Sequence, residues 1–380
     1  MILRLLLPMA LLLLGTAWLA AEVGPRQAWL WLIGAGLGVA LFQANFGFTG
    51  AFRRLLREGR GAGLRAQLVL LAALVTVFLP AIEAGAIFGQ PVRGFVFPVG
   101  VPLLVGAFLC GEGMQLGGGC GSGTLYSAGG GAPRMWITLA AFIAGATLAA
   151  WQSELWTPWP SLPPFSLTQQ FGVVPALVGS LAVLGLVWVA SRAIERRRHG
   201  AVEALPLTGG SVLRGPWPLL CGALALAALS VATLAVAGRP WAITAAFPLW
   251  GSRIVEALGW DDPSFWAFWE EPTRVEAWLR PVWMDRITVM DLGLMLGAAL
   301  AAGLAARPQA LRWPRAGEIL ASLLGGLLLG VGAVLASGCN ISAYVAGIAS
   351  GSLHGWVWIG PALLGNALGV RLRRPLGLDF

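Results

Sequence analysis

The chain contains no lysine; all 25 of its basic residues are arginine. That excludes a Schiff-base lysine and the lysine of a phosphate-binding loop. Only two histidines occur, His199 and His354, and neither has a cysteine at metal-site spacing. No metal centre, haem or other cofactor is expected from such a set. The four cysteines, Cys110, Cys120, Cys221 and Cys339, are too few and too scattered for a disulfide framework. Charged residues make up only 11% of the chain.

The remainder is apolar. Hydrophobic residues are 57% of the 380, and the mean hydropathy is +0.77. This composition implies an all-α polytopic membrane protein. A formal charge of +8 would suggest nucleic acid in a soluble chain. Here the arginines sit in short clusters between apolar runs, so they are read as topology signals, with a lipid bilayer as the partner.

Spans are expected near 1–21, 28–48, 68–88, 97–118, 135–151, 171–190, 215–237, 287–306, 317–336 and 355–371. Residues 1–21 are read as a retained span rather than a cleaved leader. The stretch 241–258 holds Pro248 and Arg253, and is expected to be interfacial or partly inserted. Arginines crowd four places: 53–65, 192–198, 307–315 and 371–374. The positive-inside rule assigns all four to the cytoplasm of an inner-membrane protein with both termini inside. The loops 152–170 and 259–286 are then outside; they concentrate tryptophan, proline and carboxylates. Four units follow: 1–27, 28–151, a middle insert 152–286, and 287–380.

Two glycine-wrapped cysteines interrupt apolar runs. The first lies in Gly117-Gly-Gly-Cys120-Gly-Ser-Gly123, the second in Ser337-Gly-Cys339-Asn-Ile-Ser342. Glycine runs break helices, and broken backbone at membrane depth is tolerated only in protein or along a cavity. An offset of 219 superimposes Gly106, Gly111, Gly113, Leu116, Gly119 and Cys120 on Gly325, Gly330, Gly332, Leu335, Gly338 and Cys339. One residue of slack pairs Trp136 with Trp356 and Gly145 with Gly365. The expected topology runs the two copies in opposite directions. Inverted repeats with broken, re-entrant half-helices meeting near the midplane, in an hourglass-like path, are therefore expected.

The broken turn frees backbone N–H groups, and a half-helix is expected to start at Thr124. Free N–H groups at a helix start favour anions. A thiol is a weak, polarisable donor, suited to a conduit that must also release its cargo. The candidate binding set is Cys120, Cys339, Cys110, Gly119, Gly121, Ser122, Gly338 and Asn340. Cys221 is read as an inert apolar side chain. Glu83, Glu112 and Asp291 are acidic candidates for proton coupling or for structure. Glu112 is expected to pair with Arg134 or a backbone group, and His354 to be structural.

Three segments carry a resemblance. They are Gly111 to Leu125 with Cys120 at the centre, Ser337-Gly-Cys339-Asn with Gly347 to Trp356, and Phe46-Gly-Phe-Thr-Gly-Ala-Phe-Arg53. Together they resemble the YeeE/YedE family of sulfur-compound transporters. The resemblance implies an hourglass of inverted repeats whose cysteines pass thiosulfate along by weak S–H hydrogen bonds, without enzymatic turnover. Carried over, Cys120 and Cys339 are the central thiols. The family's third cysteine falls on Gly47, so either two thiols suffice or Cys110 supplies the third. Alternatives left open are a membrane persulfide or disulfide enzyme, and a transporter of another sulfur or selenium compound. A cytoplasmic sulfur-carrier protein or a periplasmic protein are candidate partners.

Overall fold

A computed structural model describes residues 2–305 and 312–378, so Arg307 lies outside the described residues. The protein is almost entirely helical. In chain order the first helices are α1 (Ile2–Glu22), α2 (Pro25–Gln43), α3 (Phe48–Glu58), α4 (Ala62–Ala84), α5 (Val101–Gly117), α6 (Gly121–Gly129) and α7 (Pro133–Trp151). Then come α8 (Ser153–Trp156), α9 (Leu167–Phe171), α10 (Val173–His199), α11 (Leu219–Ala237) and α12 (Ala246–Ala257). The last are α13 (Ala267–Glu270), α14 (Pro272–Leu279), α15 (Arg286–Leu304), α16 (Ala316–Leu335), α17 (Ala346–Ala349) and α18 (Leu353–Leu372). Prolines open α2, α5 and α7, where a missing N–H costs nothing. Left-handed glycines close α4 and α11 at Gly85 and Gly238.

Nine helical stretches among the described residues are long and apolar enough to cross a membrane. The chain is a multi-pass membrane protein. α18, at 20 residues, is of spanning length but less apolar. The span expected at 28–48 is α2; the chain then breaks at Ala44–Gly47, with Asn45 at φ 46°, and resumes as the short helix α3.

Close helix pairing rests on glycine. Side-chain burial gives little net drive between helices in lipid, so backbones must approach and gain dispersion contacts. Gly34 and Gly38 of α2 lie on the Met290 and Leu294 carbonyls of α15, and Gly293 and Gly297 lie on those of Trp31 and Ala35. α5 and α16 interlock in the same way. A Cβ added at Gly106 would stand 2.6 Å from the Gly332 oxygen, and one at Gly332 would stand 2.6 Å from the Gly106 oxygen. The corresponding values for Gly113 and Gly325 are both 2.7 Å.

The described arginines of the four clusters gather at one end of the bundle. Arg54 pairs with Glu203 at 3.0 Å, and His199 bonds the Glu58 carbonyl. Arg65 and Glu195 form a buried pair at 2.6 Å, joining α4 to α10. Gln115 donates to the Thr49 carbonyl, Arg373 donates to the Gln115 carbonyl, and Gly317 sits against Leu376. The opposite end carries an aromatic cap, in which Trp266, Phe268, Trp269 and Trp278 pack with Ala150 and Leu249.

Candidate functional site

Both cysteine breaks are built alike. α5 ends at Gly118 (φ 88°), and Cys120 follows as the extended residue capping α6. α16 ends before Ser337 (φ 53°) and Gly338 (φ 143°), and Cys339 is the extended cap of a π-helical turn, Asn340–Val345, that leads into α17. The helix after the first break therefore starts at Gly121, three residues before the expected Thr124. A helix cap has extended dihedrals and leaves the first turn's N–H groups without intrahelical partners. Each cysteine sits beside such a turn.

The breaks touch. A Cβ added at Gly121 would stand 2.9 Å from Cys339 Sγ and 3.1 Å from Thr244 Cγ2. Only a residue without a side chain lets the first turn of α6 approach the second thiol this closely. Gly119 is restricted by its own turn, since a Cβ there would meet the Thr124 nitrogen at 2.8 Å. Gly338 holds a φ that side chains avoid.

Polar groups surround the two thiols. Cys120 Sγ and Ser122 Oγ are 3.4 Å apart. The Cys339 amide donates to Ser342 Oγ at 3.0 Å, and that hydroxyl lies 3.4 Å from Thr244 Oγ1. Three fully buried polar atoms here have no protein partner: Thr124 Oγ1, and both the oxygen and the nitrogen of the Asn340 amide. Buried polar groups are nearly always paired, so unpaired ones on the two turns that follow the cysteines are open to a polar guest. Among the described residues no group of metal-binding side chains occurs.

The other candidates are placed differently. Cys110 is buried between α5 and α16, with its thiol directed at the Leu329 carbonyl at 3.9 Å. Cys221 donates to the Leu207 carbonyl, away from both breaks. His354 Nε2 donates to the Ala336 carbonyl at 2.9 Å, which ties α18 to the end of α16. Arg134 does not pair with Glu112; it donates to Ser322 and to the Leu116 carbonyl. Gly47 caps α3 in an extended conformation, and a Cβ there would have Tyr126 Oη as its nearest neighbour, at 3.7 Å.

The stretch 241–258, expected to be interfacial or partly inserted, is buried in its first half and exposed at Ile254 and Leu258. Ile243 and Phe247 are fully buried, and a single 3₁₀ turn, Ile243–Ala245, lies against Gly121 and Ser342. Thr244 and Ile243 thus belong to the site. Their sequence signal was weak: one threonine in an apolar run, more than a hundred residues from Cys120.

The profile of the sulphur transport family matches residues 43–368. The chain belongs to that family. It is similar to the thiosulfate transporter TsuA of Spirochaeta thermophila, 27% identical over 345 residues, covering 88% of this chain and 95% of that one. It is also similar to TsuA of Escherichia coli, 26% identical over 357 residues, covering 88% and 91%. A probable transporter, YedE of E. coli, is 31% identical over 163 residues; that match spans 41% of this chain and 37% of YedE.

Proposed function

We propose that the protein imports a small inorganic sulfur anion, thiosulfate in the first place, past the junction of Cys120 and Cys339. The observation that carries this is the contact between the two breaks, where Gly121 of the first meets the buried Cys339 thiol of the second beside Thr244. Family membership and the two TsuA relatives support the substrate class. Thiols and helix-start N–H groups hold an anion weakly, as a conduit requires. Among the described residues no arginine makes a bond to either cysteine, so nothing there would trap the cargo.

We take the arginine-rich end as cytoplasmic, by the positive-inside rule. The anion then enters near the tryptophan cap and leaves toward positive charge. The inverted-repeat arrangement is part of the same proposal, and reciprocal contacts support it. Under the 219 offset Gly106 becomes Gly325 and Gly113 becomes Gly332, and the observed neighbours are Gly106 with Gly332 and Gly113 with Gly325. Under an offset of 220, Phe142 becomes Ala362; Gly111 lies on Ala362 and Gly330 on Phe142. Such an exchange of partners is the mark of a two-fold relation.

The test is uptake of radiolabelled thiosulfate into cells lacking their own sulfate and thiosulfate importers. Uptake that depends on this protein, and that excess thiosulfate suppresses more than sulfate or selenite does, supports the assignment. Correctly inserted protein with background uptake overturns it. A stable persulfide mass on either cysteine would instead favour a thiol enzyme.

A further inference from the structure

Asp291 lies in the second turn of α15 and is fully buried. Its Oδ1 accepts the Trp241 indole N–H at 3.1 Å, and its Oδ2 has no partner. No ion pair involving it occurs among the described residues. The charged and titratable groups on the elements around it are few. Asp285 and Arg286, at the outer end of the same helix, are engaged with Thr288 and with the Ala237 carbonyl. α2 brings Arg26, which donates to the Val236 carbonyl, and the segment that carries Trp241 brings Arg239, two residues before it. α1 brings the exposed Glu22, and α6 brings Tyr126 with its cap Cys120. Cys339 lies within electrostatic reach. A carboxylate buried in protein without a cation is costly when charged, so ionisable groups in spans are reserved for function.

Asp291 is also joined to the cysteine junction. Trp241 stands two residues before the turn whose Ile243 and Thr244 meet Gly121 and Ser342. One turn beyond Asp291, the Met295 carbonyl receives Gly129 of α6.

We propose that Asp291 is a proton-exchange site that couples anion passage to proton movement in the same direction. The proposal rests on the anion-transport reading above. An anion at the junction and a carboxylate beside it repel each other, so a proton must bind the carboxylate for the anion to enter. Carboxylate plus proton gives the neutral acid, with the new O–H on the unpartnered Oδ2. When the anion has left, that O–H bond breaks and the proton passes to water on the receiving side. The remaining carboxylate keeps the Trp241 N–H as its donor. Linkage makes the coupling reciprocal: anion favours proton and proton favours anion.

The experiment uses the purified full-length protein in liposomes, with the membrane potential clamped and the outside one pH unit more acid. Wild type is expected to accumulate radiolabelled thiosulfate above equilibrium, up to about tenfold for each coupled proton. Asp291→Asn keeps an acceptor for Trp241 but cannot titrate. It is expected to equilibrate thiosulfate and to lose accumulation. Accumulation by Asp291→Asn, or wild-type accumulation indifferent to the pH gradient, overturns the coupling role. If Asp291→Asn is inactive, Asp291→Glu decides, because it restores an acid: gradient-driven accumulation supports coupling, and equilibration without accumulation overturns it. Wild type that moves no thiosulfate under any gradient contradicts the transport reading, and the coupling falls with it.

Discussion

Gly121 is the tightest point of the junction, and replacing it by alanine tests the geometry. The added methyl would stand 2.9 Å from Cys339 Sγ and 3.1 Å from Thr244 Cγ2. Ordinary contact between heavy atoms is about 3.5–4.0 Å, so the two breaks must separate by roughly 0.6 Å or more. Overpacking of this size costs about 1–3 kcal/mol, which a large bundle survives. Transport is more sensitive, because displacing a positioned group by about 1 Å can lower rates around 100-fold. Gly121→Ala is therefore expected to insert normally and to reduce thiosulfate uptake by about 10- to 100-fold. Gly123→Ala is the control. Its methyl would lie 3.5 Å from Cys120 Sγ, an ordinary contact. Alanine also gains up to about 1 kcal/mol of helix propensity over glycine. Its uptake should stay within about twofold of wild type. The assay is initial-rate uptake normalised to protein in the membrane. Equal uptake by both variants, or a loss in Gly123→Ala alone, would refute the contact as the functional constraint.

Other outcomes follow from the same contacts. Gly47→Cys has room, with Tyr126 Oη as its nearest neighbour at 3.7 Å and an unstrained backbone. It should fold and retain or raise uptake; misfolding in fluorescence-detected gel filtration would show that the space is not there. Arg65→Met leaves Glu195 buried without its cation. Removing one partner of a buried pair costs about 3–5 kcal/mol, so thermal stability in detergent should fall sharply. Arg65→Met combined with Glu195→Leu should recover most of that loss, and a double variant as unstable as the single one contradicts the pairing argument.

Much of this molecule was legible in the sequence, and the missing parts have physical causes. Long apolar runs fix helices, so nearly every span was found within a few residues. Cys120 and Cys339 stood out because glycine clusters in an apolar run leave few structural alternatives. The start of α6 was misplaced because glycine disfavours helix, which moved the expected boundary to Thr124. In the protein the glycines are inside the helix, and the need for Gly121 to reach Cys339 overrides propensity. The break at Ala44–Gly47 was hidden because Phe46 and Phe48 keep the run apolar across it. The turn at Ile243–Ala245 was hidden because its contacts are all tertiary. Asp291 was visible as an acid in a span, but its indole partner was not, since fifty residues separate them.

The most direct measurement compares radiolabelled thiosulfate uptake by wild type, Cys120→Ala, Cys339→Ala and Cys221→Ala at matched membrane levels. Passage between the two caps predicts near-background uptake for the first two variants and wild-type uptake for Cys221→Ala, whose thiol faces the Leu207 carbonyl. Full uptake by Cys120→Ala and Cys339→Ala alike would contradict it.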